Sequence, residues 1–249
     1  MTKALEIKNG VKTIASGRHI MDHLNFSVSP GDFVTILGGN GAGKSTLFNA
    51  ISGQLTLTSG SVQLNGEDVT TKSEEYRAKY IARVFQDPKL GTAPRMTVAE
   101  NLLLAELRGK KRGLKKRQLN QQKEFFFEQC QKIGNGLENH LDTPTGNLSG
   151  GQRQALSLLM ATIQKPDLLL LDEHTAALDP KTSKQLMALT EKTIEENELT
   201  CLMITHRMED ALNFGNRLIV LDSGQIKKDF NKEEKSQLDL PDLLTFFNL

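Results

Sequence analysis

"FVTILGGNGAGKSTLFNAISG", residues 33–53, places three chemistries in succession. Phe33 to Gly39 is a continuous apolar run, the pattern of a strand buried on both faces. A glycine-rich loop follows, and KSTLFNAIS then predicts a helix stopped by Gly53. Within this unit GGNGAGKST, Gly38 to Thr46, fits G-x-x-x-x-G-K-[ST], with Gly38, Gly43, Lys44 and Ser45 in the fixed places. Glycines let the backbone curl until its N–H groups converge on phosphate oxygens. The helix N-terminus behind them adds a favourable dipole. The loop residues Gly38, Gly39, Asn40, Gly41, Ala42, Gly43, Lys44, Ser45 and Thr46 are therefore the expected phosphate contacts. Lys44 would neutralise the β- and γ-phosphates, and the Ser45 hydroxyl would ligate Mg²⁺. A tight glycine turn with no ligand is the competing reading; the strand–loop–helix context weighs against it.

Outward from this unit, ALEIKNG and LNFSVSPGD read as strands, SVQLNGEDV as a hairpin about Asn65-Gly66, and KYIARVFQ as another buried strand. From Asp87 to about Gln164 the character changes. TVAENLLLAELR, LKKRQLNQQKEFFFEQCQKI and GQRQALSLLMATIQ all carry helical spacing and read as an insertion. Strand and helix then alternate through LLLL, PKTSKQLMALTEKTIEEN, TCLMIT and HRMEDALNF. RLIVLDSGQIKKDF closes as two strands around Ser223-Gly224. Such alternation implies an α/β fold with a parallel sheet, helices on its faces and ligands at the carboxyl ends of its strands.

At that edge stands LLLLDEHTAALD, Leu168 to Asp179. The leucines anchor a rigid strand whose tip faces the glycine loop. Asp172 would hold Mg²⁺, and Glu173, next along the chain, would polarise the attacking water. A polar strand tip is the plain alternative. FQDP puts Gln86 at a strand end, and THR puts His206 on the same edge. LSGGQRQ, from Leu148, sets Ser149 before a helix, either as its N-cap or leaving the helix tip free to meet a phosphate.

The chain has 249 residues, 38% of them hydrophobic, and a formal charge of +1, as expected of a folded globular protein rather than a polyanion binder. No apolar run approaches the eighteen or so residues a membrane helix needs, and the N-terminus lacks a signal peptide's apolar core. Cys130 and Cys201 are the only cysteines, so a reducing cytosol is expected. One stretch breaks the charge balance: Arg108 to Arg117 holds seven basic residues. It reads as a solvated loop or, secondarily, as a patch drawn to anionic headgroups. With no interleaved aromatics it is not read as a nucleic-acid site.

GGNGAGKST, FQDP, LSGGQRQ, LLLLDE, ALD and TH stand in the order seen in the ATPase subunits of ABC transporters, and the resemblance covers nearly the whole chain. It implies a P-loop NTPase fold with a mainly parallel core sheet, an antiparallel β subdomain and an inserted helical subdomain. The expected division is a single domain over 1–249, with 1–86 and 165–249 as the catalytic core and 87–164 as the helical part. ATP and Mg²⁺ follow, with Ser45, Gln86 and Asp172 as the metal set and Glu173, His206 and Gln86 as the catalytic set. His206 would bond the γ-phosphate and link it to Glu173. Two copies would pack head to tail, each ATP lying between the phosphate loop of one and Ser149, Gly150, Gly151 and Gln152 of the other. Asp179 would cross that interface. Integral permease subunits and an extracellular solute-binding protein complete the implied assembly, with this chain on the inner face of the membrane. The FQDP…GT…P…T…ENL pattern resembles importers of amino acids and similar small solutes. A membrane-independent ABC ATPase, such as the iron–sulfur assembly type, and a nucleotide sensor with little turnover are the alternatives.

The sequence departs from that family in places. Ile14 occupies the position where an aromatic side chain usually stacks on adenine, so apolar contact, or His19, would substitute. ATP remains the expected nucleotide, with GTP conceivable. His174 follows Glu173 where proline is common. It would either act on the glutamate's charge or, the expected case, be a tolerated surface substitution. Phe125 to Phe127 is expected to be a helix face packed inside the insertion, with one ring left for the permease.

Overall fold

The computed structural model describes residues 2–110 and 118–246. In chain order its strands are β1 (Leu5–Thr13), β2 (His19–Val28), β3 (Phe33–Leu37), β4 (Ser59–Leu64), β5 (Glu67–Asp68), β6 (Ile81–Val84), β7 (Leu168–Asp172), β8 (Cys201–Ile204), β9 (Arg217–Asp222) and β10 (Gln225–Phe230). The α-helices are α1 (Lys44–Ser52), α2 (Glu74–Arg77), α3 (Val98–Glu106), α4 (Leu119–Ile133), α5 (Gly150–Thr162), α6 (Pro180–Glu196), α7 (Met208–Asn213), α8 (Lys232–Lys235) and α9 (Leu240–Thr245).

Six strands form one sheet in the order β10-β9-β3-β8-β7-β6, parallel except for β10. A second, antiparallel sheet has the order β2-β1-β4-β5. Side-chain alternation explains the unbroken leucine run. Leu168 and Leu170 face a core shared with α1 and the antiparallel sheet, including Leu47, Phe48, Ile51, Ile7 and Phe26. Leu169 and Leu171 face the other side, against Ala155, Leu158, Leu186 and Met187 of α5 and α6. A strand buried on both faces needs apolar residues at every position, each contributing about 1.5–3 kcal/mol by burial.

Helices α3 to α5 have a core of their own, built from Val98, Leu102, Phe126, Cys130, Leu137 and Leu156. Helix α3 starts with a reciprocal capping box between Thr97 and Glu100. Of the three phenylalanines in α4 only Phe126 is buried; Phe125 and Phe127 are exposed. Consecutive helical residues point about 100° apart, so three in a row cannot share one packed face. The expectation of a packed face holds for the central ring alone.

The basic run also needs correcting at its start. Arg108 is no solvated charge: its guanidinium donates to the carbonyls of Ala161 at 3.0 Å and Gln164 at 2.6 Å, closing the end of α5. Burial holds its pKa below the usual arginine value. Residues 111–117 of the run lie outside the described residues.

Candidate active site

The carboxyl ends of β3, β7 and β8, which are parallel neighbours, open onto one edge of the sheet. The phosphate loop leaves β3 there. Helix α1 begins behind Gly43, which has φ 102° and supplies no side-chain cap, so the first N–H groups of the helix stay open toward the loop. A Cβ on Gly43 would lie 2.9 Å from the Ile20 carbonyl oxygen, and one on Gly224 would lie 2.8 Å from the same atom. The Gly224 N–H donates to the Ala42 carbonyl at 2.9 Å. The loop is therefore seated between β2 and the β9–β10 turn, with no room for a side chain at Gly43 or Gly224.

Lys44 is buried, its Nζ donating to the Gly38 carbonyl at 2.7 Å and the Gly39 carbonyl at 3.1 Å. Burial pushes its pKa down, and the charges of Glu173 and Asp172 act against that shift. Those two carboxylates therefore share the field of the loop lysine, as the sequence led one to expect. Asp172 ends β7. Its Oδ2 accepts a hydrogen bond from Arg83 Nη2 at 2.5 Å in an ion pair whose side chains are 17% and 10% exposed. Glu173 follows with φ 45°, a left-handed backbone costly for a non-glycine residue. Its N–H donates to the Ile204 carbonyl at 3.0 Å. This anchor and the turn fix the backbone from which the Glu173 side chain reaches His206. His206, two residues past β8, has Nδ1 3.4 Å from Glu173 Oε2.

His174 is not a surface residue. It is 2% exposed, and its Nε2 lies 3.0 Å from Thr190 Oγ1 on α6. The Thr190 hydroxyl gives its proton to the Leu186 carbonyl at 2.8 Å. In this pair His174 Nε2–H must therefore be the donor. Burial pushes the imidazole pKa down to about 4. A neutral ring carries no charge with which to act on Glu173, so both sequence-based expectations for His174 are replaced by a tether between the Glu173 loop and α6.

The other expected residues stand apart from this cluster. Gln86 is exposed, two residues beyond β6. Ile14 is 41% exposed in the β1–β2 turn, and His19 Nδ1 is 2.9 Å from Thr13 Oγ1. Ser149 takes the N-cap role: its Oγ accepts the Gln152 N–H at 3.2 Å, and the Gln152 side chain accepts the Ser149 N–H in return. Ser149, Gly150, Gly151 and Gln152 line a separate cavity with Leu178, Asp179 and Thr182. Asp179 caps α6 through the N–H groups of Lys181 and Thr182, and the Thr182 hydroxyl together with those N–H groups holds its carboxyl below the usual range. Gly151 packs on α6 so closely that a Cβ would sit 2.5 Å from Thr182 Cγ2.

Ser45, Asp172 and Gln86 offer hydroxyl, carboxylate and amide oxygens. Among the described residues no three His, Cys, Asp or Glu side chains gather as a metal cage. That donor set suits Mg²⁺, which binds through one or two carboxylates together with substrate phosphates. A larger groove of about 850 Å³ opens beside β6. It is lined by Arg83, Phe85, Leu90, Leu104, Leu107 and Met160 among others, with Leu90, Leu104 and Leu107 exposed.

The family profile described as "ABC transporter" matches residues 21–176. A tyrosine transport ATP-binding protein of Clostridioides difficile (strain R20291) is 44% identical over 249 residues, covering 98% of this chain and 98% of its own. A thiamine import ATP-binding protein of Escherichia coli (strain K12) is 35% identical, covering 84% of each chain. Among solved structures, a dimeric ATP-binding cassette in a post-hydrolysis state bound to ADP and Pi superposes with a TM-score of 0.77 at 29% identity, covering 92% of this chain and 98% of that one.

Proposed function

The chain belongs to the ABC transporter family of ATP-binding proteins, and from that premise we propose that it is the ATPase subunit that powers import of an amino acid through separate permease subunits. ATP binding and hydrolysis come with the family. Among the described residues no helix is long and apolar enough to cross a membrane, so the solute path is assigned to other chains. The importer role and the solute class rest on the relatives' names, tyrosine transport and thiamine import. An external solute-binding protein and a position on the inner face of the membrane belong to the same reading.

One observation carries the mechanism. The phosphate loop, Asp172, Glu173 and His206 are gathered on one strand edge, whereas Ser149 to Gln152 face a different cavity beside Asp179. A single chain thus presents two half-sites. A second copy, inverted, would bring its Ser149 helix tip onto the phosphates held by the first. Lys44 and the open N–H groups of α1 bind the triphosphate. Bound Mg²⁺, held by Ser45, Asp172 and Gln86, would neutralise charge on the β- and γ-phosphates. Glu173 accepts the proton of the attacking water at its carboxylate. His206, 3.4 Å from Glu173, holds that carboxylate in line and contacts the γ-phosphate. The groove beside β6, lined by Phe85 and the exposed Leu90, Leu104 and Leu107, is the surface for the permease.

The test is cysteine crosslinking between position 45 of one copy and position 149 of another. The pair should crosslink when a non-hydrolysable ATP analogue and Mg²⁺ are present. No crosslink under any nucleotide condition would end the two-copy reading. Reconstitution with the permease, and ATP turnover read while tyrosine and other amino acids are titrated, then decides the solute class.

A further inference from the structure

Arg83 is left unexplained by the mechanism above. It sits mid-strand in β6, paired in register with Leu170 of β7, where an apolar residue would fit the buried sheet. Instead its guanidinium makes bonds in three directions. Nη2 donates to Asp172 Oδ2 at 2.5 Å, and Nη1 donates to Asn49 Oδ1 at 2.8 Å on α1 and to Gln54 Oε1 at 3.0 Å. The planar group lies over Phe85 and Phe48, with 4.9 Å and 5.7 Å to the ring centroids. Its Nε is buried without a hydrogen-bond partner. Arg83 and Phe85 both line the 850 Å³ groove.

We infer that Arg83 is a positioning residue that joins the groove to the metal-side carboxylate. This rests on the reading of Asp172 as a metal ligand and of the groove as the permease surface. By taking Oδ2, the guanidinium fixes the rotation of the Asp172 carboxylate and leaves Oδ1 for the cation. Hydrogen-bonded partners behind a ligating carboxylate set its orientation in this way, and losing them typically weakens metal binding 10–100-fold. Without Arg83, Lys44, whose field already includes Asp172, would draw the carboxylate toward itself and away from the metal. The guanidinium lies over the ring of Phe85, which lines the groove, so a change in what fills the groove reaches Arg83 through that ring. A shift of Arg83 moves Asp172 directly. A purely structural link between α1 and β6 would need no carboxylate.

The test measures binding of trinitrophenyl-ATP with and without Mg²⁺ in the parent, Arg83→Met, Arg83→Lys and Asp172→Asn. The Mg²⁺-dependent gain in affinity should fall about tenfold in Arg83→Met, return most of the way in Arg83→Lys, and be lost in Asp172→Asn. Metal-free affinity should stay within about twofold of the parent in both Arg83 variants. A parent-like or larger Mg²⁺ gain in Arg83→Met, with the gain lost in Asp172→Asn, overturns the inference while sparing the metal reading. A gain unaffected by Asp172→Asn overturns the metal reading itself. A second measurement keeps Arg83 in place. Both native thiols are buried, so a fluorophore on Leu107→Cys can be placed alone in the groove. Its emission should change when Mg²⁺ is added to the nucleotide-bound chain, and should not change in the Asp172→Asn background. An unresponsive label in the Asp172-intact chain overturns the link between groove and carboxylate.

Discussion

Two helix N-termini in this chain carry glycine-rich motifs, and their backbones are finished in opposite ways. Helix α1 starts from a left-handed Gly43 with no side-chain cap, and its leading N–H groups have no partner from Ser45 or Thr46. Helix α5 starts from a closed reciprocal box between Ser149 and Gln152. An uncapped end with a buried lysine beside it is a primary anion site. A capped end offers a hydroxyl and little else, so it can complete a phosphate site begun elsewhere but cannot found one. Under the proposed function the difference sets an order of assembly: triphosphate would bind first at the α1 end, and the α5 tip of another copy would arrive afterwards.

The hardest blow to this contrast would come from the chemistry. Glu173→Gln should lower ATP turnover about 1000-fold while ATP binding persists, so that a nucleotide-bound dimer accumulates on size-exclusion chromatography. Full turnover in that variant would remove the proton-accepting role from the α1 side. Next in size, Lys44→Ala should weaken ATP binding about 100-fold in calorimetric titration, the loss of a charge-assisted bond to phosphate. An equal loss from Ser149→Ala would erase the distinction between the two ends.

A third test concerns the tether that holds Glu173. The folded His174 pKa of about 4 lies below the ordinary value near 6.5, so the folded chain binds fewer protons than the unfolded one between those values. The stability is fully present above pH 6.5 and is lost as pH falls toward 4. Urea unfolding should show a His174 contribution that declines by about 2 kcal/mol from pH 7.5 to pH 5, and His174→Leu should flatten that part of the profile. A profile unchanged by the substitution would mean the ring is charged or unburied.

The smallest effect sharpens the contrast at the α5 end. Gly151→Ala should cost about 1–2 kcal/mol through its contact with Thr182, lowering Tm by roughly 2–4 °C for each kcal/mol. Thr182→Ser, which removes the clashing methyl, should restore it. Failure of that rescue would show that Gly151 is small for nucleotide contact rather than for packing on α6.

What the sequence made legible was local. The glycine loop, the leucine strand and its two carboxylates are contiguous, and their chemistry depends on neighbours within a few positions. Arg83 was opaque because its partner Asp172 lies 89 positions away, and within KYIARVFQ it reads as one more strand residue. His174 was misread for a related reason: next to two carboxylates it looked solvated, whereas the turn at Glu173 sends it inward onto α6. Strands β1 and β2 run longer than their alternation suggested, to Thr13 and from His19, because cross-strand pairing carries them through polar residues. Helices α8 and α9 went unread although each opens with a capping box, Asn231 with Glu234 and Asp239 with Asp242. That signal was present in the spacing.

The Ile20 carbonyl, wedged against both Gly43 and Gly224, has a mechanical consequence. It seats the β1–β2 hairpin directly against the phosphate loop, so that a displacement of one is carried to the other. Under the proposed function, a base that fits poorly against the β1–β2 hairpin would therefore be felt at the triphosphate as well.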